Sequence, residues 1–155
     1  MMGIEIERKY LVADDGWKQE HVISHQSIRQ GFLSTDPLRV VRVRVTEDQG
    51  FLTVKGAGHL SRPEYEYEIP TEDAEALLLL CKGKIIQKTR WTLVFSGRHW
   101  EVDVFEGQHA GLVLAETEMK VENEIFKVPS WADLDVTMYP RYKNMNLALE
   151  GEDIP

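Results

Sequence analysis

Residues 4–10 read Ile4-Glu5-Ile6-Glu7-Arg8-Lys9-Tyr10, and in an extended chain strict alternation sends Glu5, Glu7 and Lys9 to one side and Ile4, Ile6, Arg8 and Tyr10 to the other. The same division recurs outward from this stretch. Arg42 and Arg44 alternate with Val41, Val43 and Val45, Thr53 and Lys55 with Leu52 and Val54, and Glu64, Glu66 and Glu68 with Tyr65, Tyr67 and Ile69. Further on, Lys88 and Arg90 share a face, Glu101 and Asp103 oppose Trp100, Val102 and Val104, and Glu116, Glu118 and Lys120 oppose Ala115, Thr117, Met119 and Val121. Segments of period two cover approximately residues 4–11, 26–34, 38–46, 50–56, 64–70, 85–96, 99–106 and 112–121. Asp48-Gln49-Gly50, Ser96-Gly97-Arg98 and Glu106-Gly107-Gln108 supply turn residues between them, so antiparallel hairpins are expected.

The fold class expected is mainly β (α+β). Eight strands with one charged face each are enough to curl and close, and a closed barrel must choose which face lies inside. Apolar faces inward would make a lipocalin-like container; charged faces inward would make a polar tunnel whose apolar outside needs covering. Periodicity leaves both open. A helix is expected from Thr71, with its hydroxyl as the cap, Glu72 and Asp73 in the first turn, and Ala74, Leu77, Leu78 and Cys81 on one face; Lys82-Gly83 would end it. This helix could cover part of an apolar exterior. A second helix is expected over 141–149, with short helical turns near 15–23 and 123–126.

At 155 residues, one domain spanning 1–155 is expected. The balance of 18 Lys plus Arg against 26 Asp plus Glu gives a net charge of -8, which argues against binding duplex nucleic acid or an anionic membrane by general electrostatics. An anionic ligand would have to be captured locally. One cysteine, Cys81, excludes an internal disulfide framework and reads as a buried core thiol. No apolar run approaches the length of a membrane span or of a secretory signal core, so a cytoplasmic location is expected.

The charged face itself carries chemistry. Six acids (Glu5, Glu7, Glu101, Asp103, Glu116 and Glu118) stand with six bases (Lys9, Arg42, Arg44, Lys55, Lys88 and Arg90). Carboxylates two residues apart on a strand lie about 7 Å from each other, close enough to raise one another's pKa unless a cation sits between them. Oxygen-only ligation selects Mg²⁺ or Mn²⁺ over zinc. Paired Lys and Arg on neighbouring strands suit a chain of phosphate oxygens.

Glu5-Ile6-Glu7-Arg8-Lys9 resembles the ExExK pattern of the CYTH domains, the triphosphate tunnel metalloenzymes. The resemblance continues in family order through Gln30-Gly31-Phe32-Leu33, Arg42-Val43-Arg44, Leu52-Thr53-Val54-Lys55-Gly56, Glu64 to Glu68, Lys88-Thr89-Arg90, Glu101-Val102-Asp103, Glu116-Thr117-Glu118 and Arg141-Tyr142-Lys143-Asn144. It covers essentially the whole chain. It implies an eight-stranded antiparallel tunnel with a charged interior and peripheral helices. It further implies metal carboxylates at Glu5, Glu7, Glu116 and Glu118, with Asp103 contributing. Triphosphate ligands would be Lys9, Arg42, Arg44, Lys55, Lys88 and Arg90, with Arg141 and Lys143 from the C-terminal motif, and catalysis would centre on Lys9, Glu116 and Glu118. Phe32 stands where many relatives carry tyrosine. The activity implied is Mg²⁺- or Mn²⁺-dependent hydrolysis of triphosphate compounds, inorganic triphosphate first among them. Class IV adenylate cyclase, thiamine triphosphatase and a non-catalytic polyphosphate-binding module are the alternatives, and a second copy of the chain is a candidate partner.

His21 and His25 have no third ligand nearby and are set aside as a zinc pair. His59, His99 and His109 read as solvated turn residues, and the four tryptophans as packing outside the tunnel.

Overall fold

The alternating segments close on one another. In a computed structural model, which describes residues 3–150, nine strands form: β1 (Ile4–Val12), β2 (His21–Asp36), β3 (Arg39–Val45), β4 (Gly50–Lys55), β5 (Ser61–Ile69), β6 (Lys82–Phe95), β7 (Arg98–Phe105), β8 (Val113–Glu118) and β9 (Ala132–Asp135). Two short helices, α1 (Thr71–Leu78) and α2 (Asn144–Ala148), and three 3-10 turns complete the secondary structure. The strands run β5-β4-β3-β2-β6-β7-β8-β1, and β1 pairs back onto β5 through Ile4↔Pro63, Glu5↔Arg62 and Ile6↔Ser61. Eight antiparallel strands therefore make a ring. β9 is an addition that sequence periodicity does not reveal; it is four residues long and, among the described residues, pairs with β1 alone, at Tyr10↔Asp135 and Val12↔Ala132.

The ring turns its charged face inward. Glu5, Glu7, Lys9, Arg42, Arg44, Lys55, Lys88, Arg90, Glu101, Glu116 and Glu118 all line one central cavity, which overturns the container with an apolar lumen. Two apolar clusters cover the outside. In the first, Val43 and Val45 of β3 meet Ala74 and Leu78 of α1, with Leu77 and Cys81 against them. In the second, Tyr10, Leu93, Trp100, Val102 and Ala115 pack under Trp17 and Trp131, which arrive from the 3-10 turn Asp15–Gln19 and the loop before β9. Trp131 brings its indole N–H to Glu20 Oε2 at 2.8 Å, so its one polar atom is satisfied.

The interior is divided along its length. Two residues beyond the charged or polar positions on the same strand faces stand Leu11, Phe32, Val40, Ile86, Phe105 and Leu114, and these gather with Val136, Met145, Leu147 and Ala148 into a third apolar cluster. α2 thus stoppers one end of the ring. The close fit is visible at Gly83, where φ is +70° and a Cβ would lie 2.4 Å from the Ala148 carbonyl oxygen.

Several local expectations are corrected. Thr71 is the first helical residue rather than the cap; Pro70 occupies that position, and the Thr71 hydroxyl reaches the Asp48 carbonyl at 3.5 Å. Lys82-Gly83 already belongs to β6, since α1 ends at Leu78 and a turn follows. Residues 141–149 divide into a 3-10 turn (Pro140–Tyr142) and α2, the turn near 15–23 is 3-10 only through Gln19 before β2 begins at His21, and residues 123–126 make no helix. Cys81 is half-buried, its Sγ 3.5 Å from the Leu77 carbonyl. Among the described residues no helix is long and apolar enough to cross a membrane.

Candidate active site

The cavity measures about 250 Å³. Register fixes its walls. Antiparallel pairing sets Glu7 beside Glu118 and Lys9 beside Glu116 across β1 and β8, and Glu101 beside Glu116 across β7 and β8. Lys9 Nζ lies 3.5 Å from Glu116 Oε1 and donates to the Tyr142 carbonyl at 3.2 Å. Across the ring, Lys55 Nζ bridges Glu5 Oε2 at 2.9 Å and Glu64 Oε2 at 3.0 Å, and Arg62 Nε reaches Glu5 Oε1 at 3.3 Å. Burial pushes the Glu5 carboxyl up, but Lys55 and Arg62 outweigh it and hold the group well below the usual carboxylate range. Burial, and the hydrogen bond shared with Glu5, raise Glu64.

β6 and β7 supply the most enclosed part. Lys88 is 1% exposed and Asp103 1%, with Lys88 Nζ 2.7 Å from Asp103 Oδ2. Arg90 grips both Asp103 oxygens, Nε to Oδ1 at 2.8 Å and Nη2 to Oδ2 at 2.9 Å. Burial alone would raise Asp103, yet Arg90 and Lys88 draw it far below its ordinary value. Burial lowers Lys88 to about 7, against the pull of Asp103, and lowers Arg44 to about 9, with Arg42 and Arg90 adding repulsion. Glu116, buried but facing Lys9 and Arg90, is brought down to about 2.

Glu7 differs from the other acids. Burial pushes its carboxyl well up, and Glu116 and Glu5 add like-charge repulsion that Lys55 and Lys9 offset only in part. Neither Glu7 nor its register neighbour Glu118 has a side-chain hydrogen bond or ion pair among the described residues, whereas Glu5, Asp103 and Glu116 are all paired to cations. No three acids there already converge as a ready-made cation site. The donor chemistry nevertheless fits a hard divalent cation: two adjacent free carboxylates with two more beside them, and no sulfur or histidine among the four.

Eleven of the thirteen site positions read from sequence line the cavity: Glu5, Glu7, Lys9, Arg42, Arg44, Lys55, Lys88, Arg90, Glu116, Glu118 and Lys143. Asp103 lies behind the wall with both oxygens committed to Lys88 and Arg90. Arg141 is exposed, off the lining, with its guanidinium 5.7 Å from the Tyr142 ring. Sequence reasoning passed over Arg62, which shares a strand face with Glu64 and Glu66 and was legible by that alternation. His59 is exposed in a bend, as expected, and it also borders the cavity. His109 is not simply solvated: its side chain is 8% exposed and lies 3.3 Å from Glu150. Gln30 and Asn144 line the cavity as well, one from β2 and the other from the start of α2.

Eight Lys and Arg side chains and seven carboxylates line the cavity. Such a surface suits a polyanion once cations neutralise the acids, and it offers an apolar ligand nothing but the stoppered floor.

The chain matches the CYTH domain family over residues 3–137. It is 47% identical over 148 residues to an inorganic triphosphatase of Acetivibrio thermocellus, covering 94% of both chains. To an inorganic triphosphatase of Nitrosomonas europaea it is 38% identical over 149 residues, covering 94% of this chain and 97% of that one. A solved crystal structure of an inorganic triphosphatase superposes with a TM-score of 0.68 at 35% identity, over 96% of this chain and 97% of the other. A putative adenylate cyclase from Bacillus halodurans shares the fold at 19% identity and a TM-score of 0.58.

Proposed function

This chain belongs to the CYTH domain family, and from that premise we propose that it hydrolyses inorganic triphosphate to diphosphate and phosphate inside the ring. The observation that carries the reading is the convergence of Lys9, Arg42, Arg44, Lys55, Lys88, Arg90 and Lys143 on one cavity that also holds the unpaired carboxylates Glu7 and Glu118. The cations grip successive phosphates from several strands at once, which orients the chain of phosphorus atoms along the lumen. Arg42 illustrates the preparation: its Nη2 is anchored by Thr53 Oγ1 at 3.2 Å and Glu66 Oε2 at 3.3 Å, while its buried Nε has no protein partner and is free for a ligand oxygen.

Glu7 and Glu118, flanked by Glu5 and Glu116, would hold Mg²⁺ or Mn²⁺, which when bound neutralises phosphate charge and lowers the pKa of water. Water adds to the terminal phosphorus, the bridging P–O bond breaks, and its electron pair leaves with diphosphate, whose new charge the Lys and Arg side chains stabilise. Asp103 does not face the ligand in this reading; it holds Lys88 and Arg90. Arg141 is left outside the phosphate set. The whole of 1–155 is read as a single catalytic unit acting in the cytoplasm, without nucleic acid or membrane partners, and a homodimer stays a proposal for size measurement in solution.

The test is phosphate release from triphosphate, diphosphate, ATP and thiamine triphosphate with Mg²⁺ and with Mn²⁺, alongside detection of cyclic AMP. Triphosphate should exceed ATP in kcat/KM by at least about tenfold, or ~1.4 kcal/mol of transition-state binding, since the lining is dominated by Lys, Arg and Glu, with Phe32, His59 and Tyr139 as its aromatic rings. Cyclic AMP as product, or ATP equal to triphosphate, would replace this assignment with a nucleotide-using one.

A further inference from the structure

Two neutral amides stand between the cations of the cavity. Gln30 is 0% exposed, and Asn144 opens α2, the helix that stoppers the apolar end. Gln30 Oε1 accepts from Arg44 Nε at 2.8 Å, and Gln30 Nε2 donates to Asn144 Oδ1 at 2.7 Å. The same Asn144 oxygen accepts from Lys88 Nζ at 2.9 Å. Every direction in this series is forced. Guanidinium and ammonium groups have no acceptor, so Gln30 must turn its oxygen to Arg44 and Asn144 its oxygen to Lys88, which leaves the Gln30 amide N–H for Asn144.

The strands are placed for such a series. Gln30 of β2 sits opposite Arg44 of β3 on one edge and Ile86 of β6 on the other, one inward position from Lys88. Beyond Lys88 the series continues through Asp103 to Arg90. Lys88 therefore has two of its three N–H donors fixed, by Asn144 and Asp103, and one left over. Arg44 has its Nε fixed by Gln30, and its terminal nitrogens make no hydrogen bond among the described residues. A lysine ammonium on a four-carbon stem samples many positions unless its donors are taken up in this way.

We propose that Gln30 and Asn144 are positioning residues for triphosphate hydrolysis: they lock Arg44 and Lys88 to each other and leave only their remaining donors to converge on the phosphates. The link between α2 and the chemistry runs through Asn144, the residue that opens the helix and aims Lys88, and not through the apolar packing of Leu147 and Ala148. This inference rests on the triphosphatase reading above.

The test is steady-state hydrolysis of inorganic triphosphate with Mg²⁺ by the full chain and by Asn144→Ala, Asn144→Asp, Gln30→Ala, Lys88→Met and Lys88→Met/Asn144→Ala. Misplacement of one phosphate contact by about 1 Å lowers turnover by up to about a hundredfold. Asn144→Ala and Gln30→Ala should lower kcat about 10- to 100-fold with KM changed less than about threefold. Asn144→Asp, which retains an acceptor oxygen for Lys88, should recover most of the loss. In the Lys88→Met background, removing Asn144 should cost less than about twofold more. Leu147→Val is the control for α2 packing: it loosens the apolar plug without touching the series, and should lower Tm while leaving kcat within about twofold. An active wild type with Asn144→Ala within twofold of it, or with Asn144→Asp no better than Asn144→Ala, overturns the positioning role alone. A wild type that releases no phosphate from triphosphate overturns the parent reading and this one together, and does so without any substitution.

Discussion

Glu7→Gln should make the metal-free protein more stable while it removes most of its activity. Glu7 faces Glu5 two residues along its own strand and Glu116 across β8, and both raise its carboxyl. One like-charge pair at about 7 Å, with an effective dielectric of about 20, costs ~2.4 kcal/mol. Lys55 and Lys9 offset part of this, so a net gain of about 1–2 kcal/mol is expected when the charge is removed, or about 3–6 °C in Tm for a domain of this size. The sign follows from linkage. A carboxyl whose folded pKa lies above its unfolded value leaves the folded state uncharged by comparison, so its contribution is fully favourable below the unfolded pKa of 4.5 and is lost as pH rises through the folded pKa. Thermal unfolding in EDTA should therefore show wild type losing stability from about pH 5 upward relative to Glu7→Gln, with the two converging at pH 4. Added Mg²⁺ should raise Tm of wild type more than of the variant, because the ion removes the same repulsion. If Glu7→Gln in EDTA at pH 8 were no more stable than wild type, the reading of Glu7 as a repelled, unpaired carboxylate would fail.

Asp103→Asn should destabilise the fold by about 3–5 kcal/mol, because it strips a buried ion pair from Lys88 and Arg90 together; urea unfolding measures it, and a loss below about 1 kcal/mol would contradict the pairing. Trp100→Ala should cost about 3–5 kcal/mol as well, since Trp100 is fully buried among Tyr10, Phe126 and Trp131, yet kcat of the folded fraction should be unchanged because this cluster lies outside the lumen. Burial, with Arg62 and Lys9 nearby, brings Lys143 down to about 8. Its ammonium is thus lost as pH rises through about 8, above the fall that Lys88 gives at about 7, so kcat/KM for triphosphate should show a second fall there; Lys143→Arg should carry that second limb upward by more than a unit and leave the first in place, and an unmoved second limb would remove Lys143 from the substrate set.

Strand positions and the charged face were legible in the sequence because both depend on a strict period of two, which needs no partner to be read. Alternation puts Glu5, Glu7, Lys9, Arg42, Arg44, Lys55, Lys88, Arg90, Glu116 and Glu118 on charged strand faces, the resemblance to the CYTH domains implies their roles, and all ten line the cavity. The same alternation reaches Arg62, two residues before Glu64 on β5 and outside the segment 64–70 that the period marks. Which face lies inside is not carried by the period; in the sequence only the resemblance to the CYTH domains implies it. Amphipathicity is symmetric under turning a sheet inside out, and the charged lumen follows from long-range packing of Trp17, Trp131 and α1 on the apolar exterior.

Three further features belong to the tertiary structure alone. The withdrawal of Asp103 behind Lys88 and Arg90 depends on side-chain lengths across two strands, whereas alternation places Asp103 on the same face as Glu101. The lumen changes from charged to apolar between Lys9 and Leu11, Arg42 and Val40, Lys88 and Ile86, and Glu116 and Leu114, but these steps form one level only when register aligns them beneath α2. Finally, Gln30 and Asn144 are 114 residues apart in the chain; both stand in stretches that resemble the CYTH domains, but neither is charged and nothing in either stretch says that the two side chains meet. Sequence determined the alternation, the charges and hence the polyanion chemistry; closure of the ring decided which of those charges face a ligand, which face one another, and which end of the lumen is shut, because a side chain's partners across a barrel are set by register and not by its neighbours in the chain.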